Sequence, residues 1–80
     1  MHELAIVEDL INTVQDSALE HNLKIVKKVK IVVGKNTAAL ADSLQFCFEA
    51  LSPGTIMEGA SLEIAETPGR ELYVDYYDGE

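Results

Sequence analysis

The chain has 80 residues, fourteen carboxylates against six bases, a net charge of −8 and one cysteine, Cys47. That length holds one small domain, residues 1–80, with one core. The single thiol excludes an internal disulfide and any zinc site of the Cys-x-x-Cys kind, and a chain this acidic is repelled by nucleic acid and by anionic membrane.

The first twenty residues carry charges throughout, so no signal peptide is expected, and no apolar run approaches the roughly 20 residues of a membrane span. The expected compartment is cytoplasmic. Five of the bases (Lys24, Lys27, Lys28, Lys30 and Lys35) crowd one segment, which reads as the solvated face of a strand or as a patch for an acidic partner.

Leu4, Val7, Ile11, Val14 and Ala18 recur at helical spacing, with Leu10 widening the stripe. The pattern predicts a first helix over 3–21. Glu3, Glu8 and Asp9 lie where the helix dipole favours negative charge, and Asn22 suits the left-handed closing residue. Lys24 to Val33 predicts a strand with Ile25, Val29, Ile31 and Val33 on the apolar face. Lys24, Lys28 and Lys30 fall on the other face, with Val26 and Val32 among them, and Gly34 ends the strand.

A second helix is expected over 38–51, with a stripe of Leu40, Leu44, Cys47, Phe48 and Leu51. Phe46 points away from that stripe and needs another contact. Ser52-Pro53-Gly54 ends the helix and starts one more short turn, through Met57. Leu62 and Ile64, then Leu72, Val74 and Tyr76, alternate in two final strands. Thr67-Pro68-Gly69 between them has the residues of a type II turn and predicts an antiparallel hairpin. The expected fold is α+β, a small α-β-α-β-β domain: a three-stranded mixed sheet with two helices packed on one face. The last strand is expected at an edge, where its tyrosines and acids would serve a homodimer contact or blunt the edge.

Catalytic chemistry is hard to place. There is no nucleophile elbow, no phosphate-binding glycine loop, and no histidine at a telling distance from a serine or cysteine. Cys47, between two phenylalanines, reads as a packed and inert thiol. An enzyme is the class least supported.

The amino terminus offers more. The Met1 α-amine, the amide nitrogen of residue 2 and the His2 imidazole can close adjacent chelate rings, and the Glu3 amide can add a fourth in-plane nitrogen. Such a set suits Ni(II) or Cu(II), and the Glu3 carboxylate lies within reach. The imidazole binds only when neutral, so affinity falls as pH drops through its pKa. A frayed terminus without function is the alternative on spacing alone. His21 is too distant to share the site, since the intervening helix is about 28 Å long at ~1.5 Å per residue. It reads as a helix-end cation or a surface residue. A strand returning antiparallel to the helix brings the loop after Gly34 level with His2, making Asn36 and Asp42 candidate outer-shell or axial groups.

Together these residues resemble the HypA family of nickel-incorporation proteins for hydrogenase and urease maturation. The resemblance starts with Met1-His2-Glu3-Leu4 and continues through Val29-Lys30-Ile31-Val32-Val33-Gly34 and Ser43-Leu44-Gln45-Phe46-Cys47-Phe48-Glu49-Ala50-Leu51. It goes on through Gly54-Thr55-Ile56-Met57-Glu58-Gly59-Ala60-Ser61-Leu62-Glu63-Ile64 and ends at Pro68-Gly69. It implies a Ni(II) site on Met1, His2 and Glu3, and delivery to a hydrogenase large subunit with a nickel-handling GTPase as partner. It implies, too, a zinc module bearing two Cys-x-x-Cys pairs between the last two strands. This sequence passes from Pro68-Gly69 directly to Arg70-Glu71-Leu72 without them, so no zinc is expected. The alternative function is a HypA-like interaction module that docks a maturation partner without carrying nickel.

Overall fold

The computed structural model describes residues 3–37 and 39–80. Helix α1 spans Glu3–Glu20, strand β1 Val26–Gly34, helix α2 Ala41–Leu51, strand β2 Ser61–Thr67 and strand β3 Leu72–Gly79. The sheet is mixed and three-stranded, in the order β2-β1-β3. β1 pairs in parallel with β2 and antiparallel with β3.

The helical stripe predicted for α1 is largely the one buried: Val7, Leu10, Ile11, Val14 and Ala18. They pack with Val26, Val29, Ile31 and Val33 of β1, Leu44 and Phe48 of α2, and Met57 and Leu62 in one cluster. The helices thus share one face of the sheet. Asn22 closes α1 with φ 63°, the left-handed conformation expected of it. Leu4, assigned to the stripe by spacing, is exposed. It lies one turn beyond the buried residues, at the rim of the α1–α2 contact.

Three expectations are corrected. The first is the final hairpin: β2 and β3 do not pair, because β1 lies between them. Residues 68–71 instead cross from one edge of the sheet to the other, over the end of β1. Two interstrand spacings are about 9.6 Å, which a connection this short spans easily when extended. Lys35 N–H donates to the Thr67 carbonyl at 2.7 Å, Asn36 N–H to that of Gly69 at 2.9 Å, and Gly34 N–H to that of Glu71 at 2.6 Å. The Asn36 side-chain amide also donates to the Pro68 carbonyl, at 3.1 Å.

The second correction concerns strand phase. Val26 is buried and Ile25 is exposed, the reverse of the simple alternation. The register shifts between Val26 and Lys28, and a β-bulge there moves every earlier side chain to the opposite face. A second shift, between Lys30 and Ile31, skips Asp75 on β3. It turns Val74 and Tyr77, rather than Tyr76, toward the core. The Tyr77 hydroxyl meets Ser17 Oγ of α1 at 2.6 Å.

The third correction is the start of α2, which begins at Ala41. Leu40 is its N-cap, extended at φ −100° and ψ 132°, and is exposed rather than part of the buried stripe.

The lysine segment forms the solvated face. Lys28 pairs with Glu63 at 3.1 Å, and both Lys28 and Lys30 lie about 6 Å from the centre of the Tyr76 ring. Hydrogen bonding to Glu63, reinforced by Tyr76, raises the Lys28 ammonium above the usual lysine range. Among the described residues no helix is long and apolar enough to cross a membrane.

Candidate metal centre

Of the expected ligands, Met1 and His2 lie outside the described residues. Glu3 is the first residue of α1 and is half-buried. Its Oε2 accepts the backbone N–H of Leu40 at 3.2 Å. That bond has a local cause. Leu40 offers α2 no side-chain cap, and a helix start leaves its first N–H groups without internal partners. In a capping box, a glutamate one turn inside the helix reaches back to the N-cap N–H. Here the carboxylate comes from the facing helix, and it fixes the start of α1 to the start of α2.

Glu3 and Asp42 both line an open groove between the two helix starts, together with Leu4, Ser43, Phe46 and Cys47. Asp42 sits in the first turn of α2, where negative charge suits the helix dipole. The groove carries two carboxylates and one free thiol. Cys47 is half-buried on its wall and packs on the core. Among the described residues no three His, Cys, Asp or Glu side chains converge as a ligand set. A metal held here would draw its nitrogens from Met1 and His2, with Glu3 and Asp42 supplying nearby negative charge.

The other expected neighbours separate. The Asn36 side chain is committed to the crossover through Pro68. The chain returning from β1 does reach the start of α1, but through Leu40 rather than through Asn36. His21 lies at the far end of α1, exposed, with Nδ1 against the Ser17 carbonyl at 2.8 Å. The same carbonyl also accepts the His21 backbone N–H, at 3.2 Å. Sequence reasoning missed the apolar rim of the groove. Leu4 and Phe46, which line it, are 57% and 73% exposed, and Leu40, bonded through its N–H to Glu3, is 64% exposed. The signal was Phe46, already off the buried stripe of its helix.

This geometry defines a small α+β domain whose first helix brings a carboxylate to the start of its second, with candidate nitrogen ligands immediately upstream in sequence. The family model described as hydrogenase/urease nickel incorporation, metallochaperone, hypA, matches residues 1–72. That family is described as one of nickel metallochaperones, and curated relatives in it are named hydrogenase maturation factors. The chain belongs to the HypA family.

A hydrogenase maturation factor HypA from Trichormus variabilis is 44% identical over 69 residues, covering 86% of this chain and 58% of its own length. One from Moorella thermoacetica is 29% identical over 113 residues, covering 100% of both chains. With 113 aligned positions against 80 residues, that relative holds positions with no counterpart here. The chain spans about three fifths of the length of the first curated relatives it matches. The solution structure of the Ni metallochaperone HypA from Helicobacter pylori shares the fold, with a TM-score of 0.77 at 18% identity, covering 95% of this chain and 72% of that one.

Proposed function

We propose that this domain holds Ni(II) at its amino terminus for hydrogenase or urease maturation, as a metallochaperone. The nitrogen ligands are the Met1 α-amine, the His2 imidazole and the adjoining backbone amides, and Glu3 contributes nearby negative charge. The observation that carries this reading is the family match, which starts at residue 1 and so includes Met1, His2 and Glu3. The chemistry agrees: square-planar nitrogen sets suit Ni(II). Nickel is cargo here, delivered in the cytoplasm to a hydrogenase large subunit with a nickel-handling GTPase as partner. The 80 residues contain no Cys-x-x-Cys pair, so the proposal assigns this domain no zinc.

The test is a calorimetric Ni(II) titration of untagged protein, beside His2→Ala and a form with the Met1 amine blocked. The expected result is about one Ni(II) per chain, lost in both altered forms. Nickel binding that survives both alterations refutes the assignment.

A second reading is favoured by the exposed Leu4, Leu40 and Phe46 around the groove. In it the domain docks a maturation partner without carrying nickel. Partner pull-down that survives His2→Ala while Phe46→Ser abolishes it would support that reading.

A further inference from the structure

Away from the amino terminus, β3 presents a free edge of the sheet. A groove of about 300 Å³ runs between α1 and the start of β3. Its walls are Ile6, Asp9, Leu10 and Thr13 on one side, spaced to share one helix face, and Leu72, Tyr73 and Val74 on the other. The lining is mostly apolar and open to solvent.

Among the described residues, the backbone along this groove is unpaired on its outer side. β3 is an edge strand, bonded to β1 alone. Gly34 N–H donates to the Glu71 carbonyl across the ladder. In an antiparallel pair, inward- and outward-facing residues alternate. Tyr73 therefore bonds toward β1, while Leu72 and Val74 turn their N–H and C=O groups outward. Side chains alternate in the same way, so those residues also share one sheet face, the one toward α1. Donor, acceptor and apolar wall thus occur at the same two residues. The bulge at Asp75 ends the regular edge, so the available length is short.

The charge around the groove is mainly negative, although the exposed Arg70 lies two residues before Leu72. α1 carries Glu3, Glu8, Asp9, Asp16 and Glu20 and no lysine or arginine. β3 carries Asp75 and Asp78 and likewise no base. The lysines of the domain lie mainly on and beside β1, which separates β3 from β2. Pairing of two β3 edges would bring four aspartates together, which opposes a second copy as occupant.

We infer that the β3 edge and the α1 groove form a docking site for a short, extended, basic segment of a partner protein. The segment adds as a strand outside Leu72–Val74. Its alternate apolar side chains enter the groove, and its lysines or arginines, on the other face of the sheet, lie beside Asp75. Main-chain bonds supply affinity in such strand addition, and the pocket and charges supply selection. The site uses none of the proposed nickel ligands.

The test is a heteronuclear NMR titration of metal-free protein with a short capped peptide alternating lysine and valine. Two controls run beside it: the same peptide with glutamate for lysine, and one with a central valine replaced by proline. The expected result is amide shifts concentrated at Leu72, Tyr73, Val74 and the facing α1 residues, absent with both controls. Asp75→Lys changes an exposed charge without touching the core, and should weaken binding about fivefold, the size of one surface charge reversal. Shifts elsewhere, shifts of equal size with the glutamate or proline peptide, or an unaltered affinity in Asp75→Lys would overturn the proposal. Concentration-dependent self-association mapping to Leu72–Val74 without peptide would overturn it in favour of a second copy. Because the protein is metal-free throughout, failure here leaves the nickel titration unaffected.

Discussion

Replacing Gly34 by alanine tests the crossover that sets the strand order. Gly34 does not have a positive φ. Its requirement for glycine is steric. A Cβ at this position would stand 2.5 Å from the Gly69 carbonyl carbon and 2.7 Å from Arg70 N, and closer still to the Gly69 carbonyl oxygen. All three atoms are backbone, so no side-chain rotation relieves the clash. The crossover must lift away from the end of β1. Overpacking of this kind costs ~1–3 kcal/mol. Lifting the crossover also strains the bonds from Gly34, Lys35 and Asn36, each contributing about 1 kcal/mol. The expected loss is roughly 3–4 kcal/mol, a large part of the ~5–15 kcal/mol that holds a typical domain. Urea unfolding followed by circular dichroism reads this as a fall in midpoint. Gly59→Ala is the control: Gly59 has φ 79° and open space around it, so alanine costs only the ~1 kcal/mol of the left-handed conformation. If Gly34→Ala proves no more costly than Gly59→Ala, the crossover does not lie on Gly34 and the argument fails.

The same unfolding assay checks three further expectations. Val26→Ala should cost roughly 2 kcal/mol and Ile25→Ala under about 1 kcal/mol; the reverse order would refute the bulge between Val26 and Lys28. Glu3→Ala should cost about 1 kcal/mol by freeing the Leu40 N–H, whereas Glu3→Gln, which keeps an acceptor, should stay near the parent. Glu71 is held below the usual glutamate range by its own backbone N–H and then by the Thr67 hydroxyl, which donates to it at 2.8 Å. Its folded value being lowered, the stability it adds is fully present above the ordinary value of 4.5 and is lost as pH falls through the lowered one. The difference between parent and Glu71→Gln should therefore vanish in acid; a difference that grows as pH falls would refute the assignment.

Elements were legible in the sequence where burial follows one simple period. α1 was, because Val7, Ile11, Val14 and Ala18 keep the helical repeat against a continuous core. Strand phase was not, because a single extra residue at a bulge reverses it and carries no residue signature of its own. Strand order also escaped, since Pro68-Gly69 reports a local turn and says nothing of what lies between the strands it joins. A cue was nevertheless present: Ile31, Val32 and Val33 are consecutive, and all three are buried. A run apolar on both faces belongs in the middle of a sheet rather than at its edge. At the amino terminus the ligand types were legible, but the attachment of Glu3 to Leu40 was not, because it depends on how the two helices meet.

That attachment bears on how an amino-terminal metal site would be supported. A chelating terminus gains affinity when the residues after it are already ordered, since less freedom is then lost on binding. Glu3 is ordered twice, as the first residue of α1 and through the Leu40 N–H. The crossover at 68–71 makes its backbone bonds to Gly34, Lys35 and Asn36 and none to Glu3. The two devices are therefore separable. A change in the length of the β2–β3 connection acts first on the end of β1, and reaches the bond between Glu3 and Leu40 only through the segment that leads from Asn36 to Leu40.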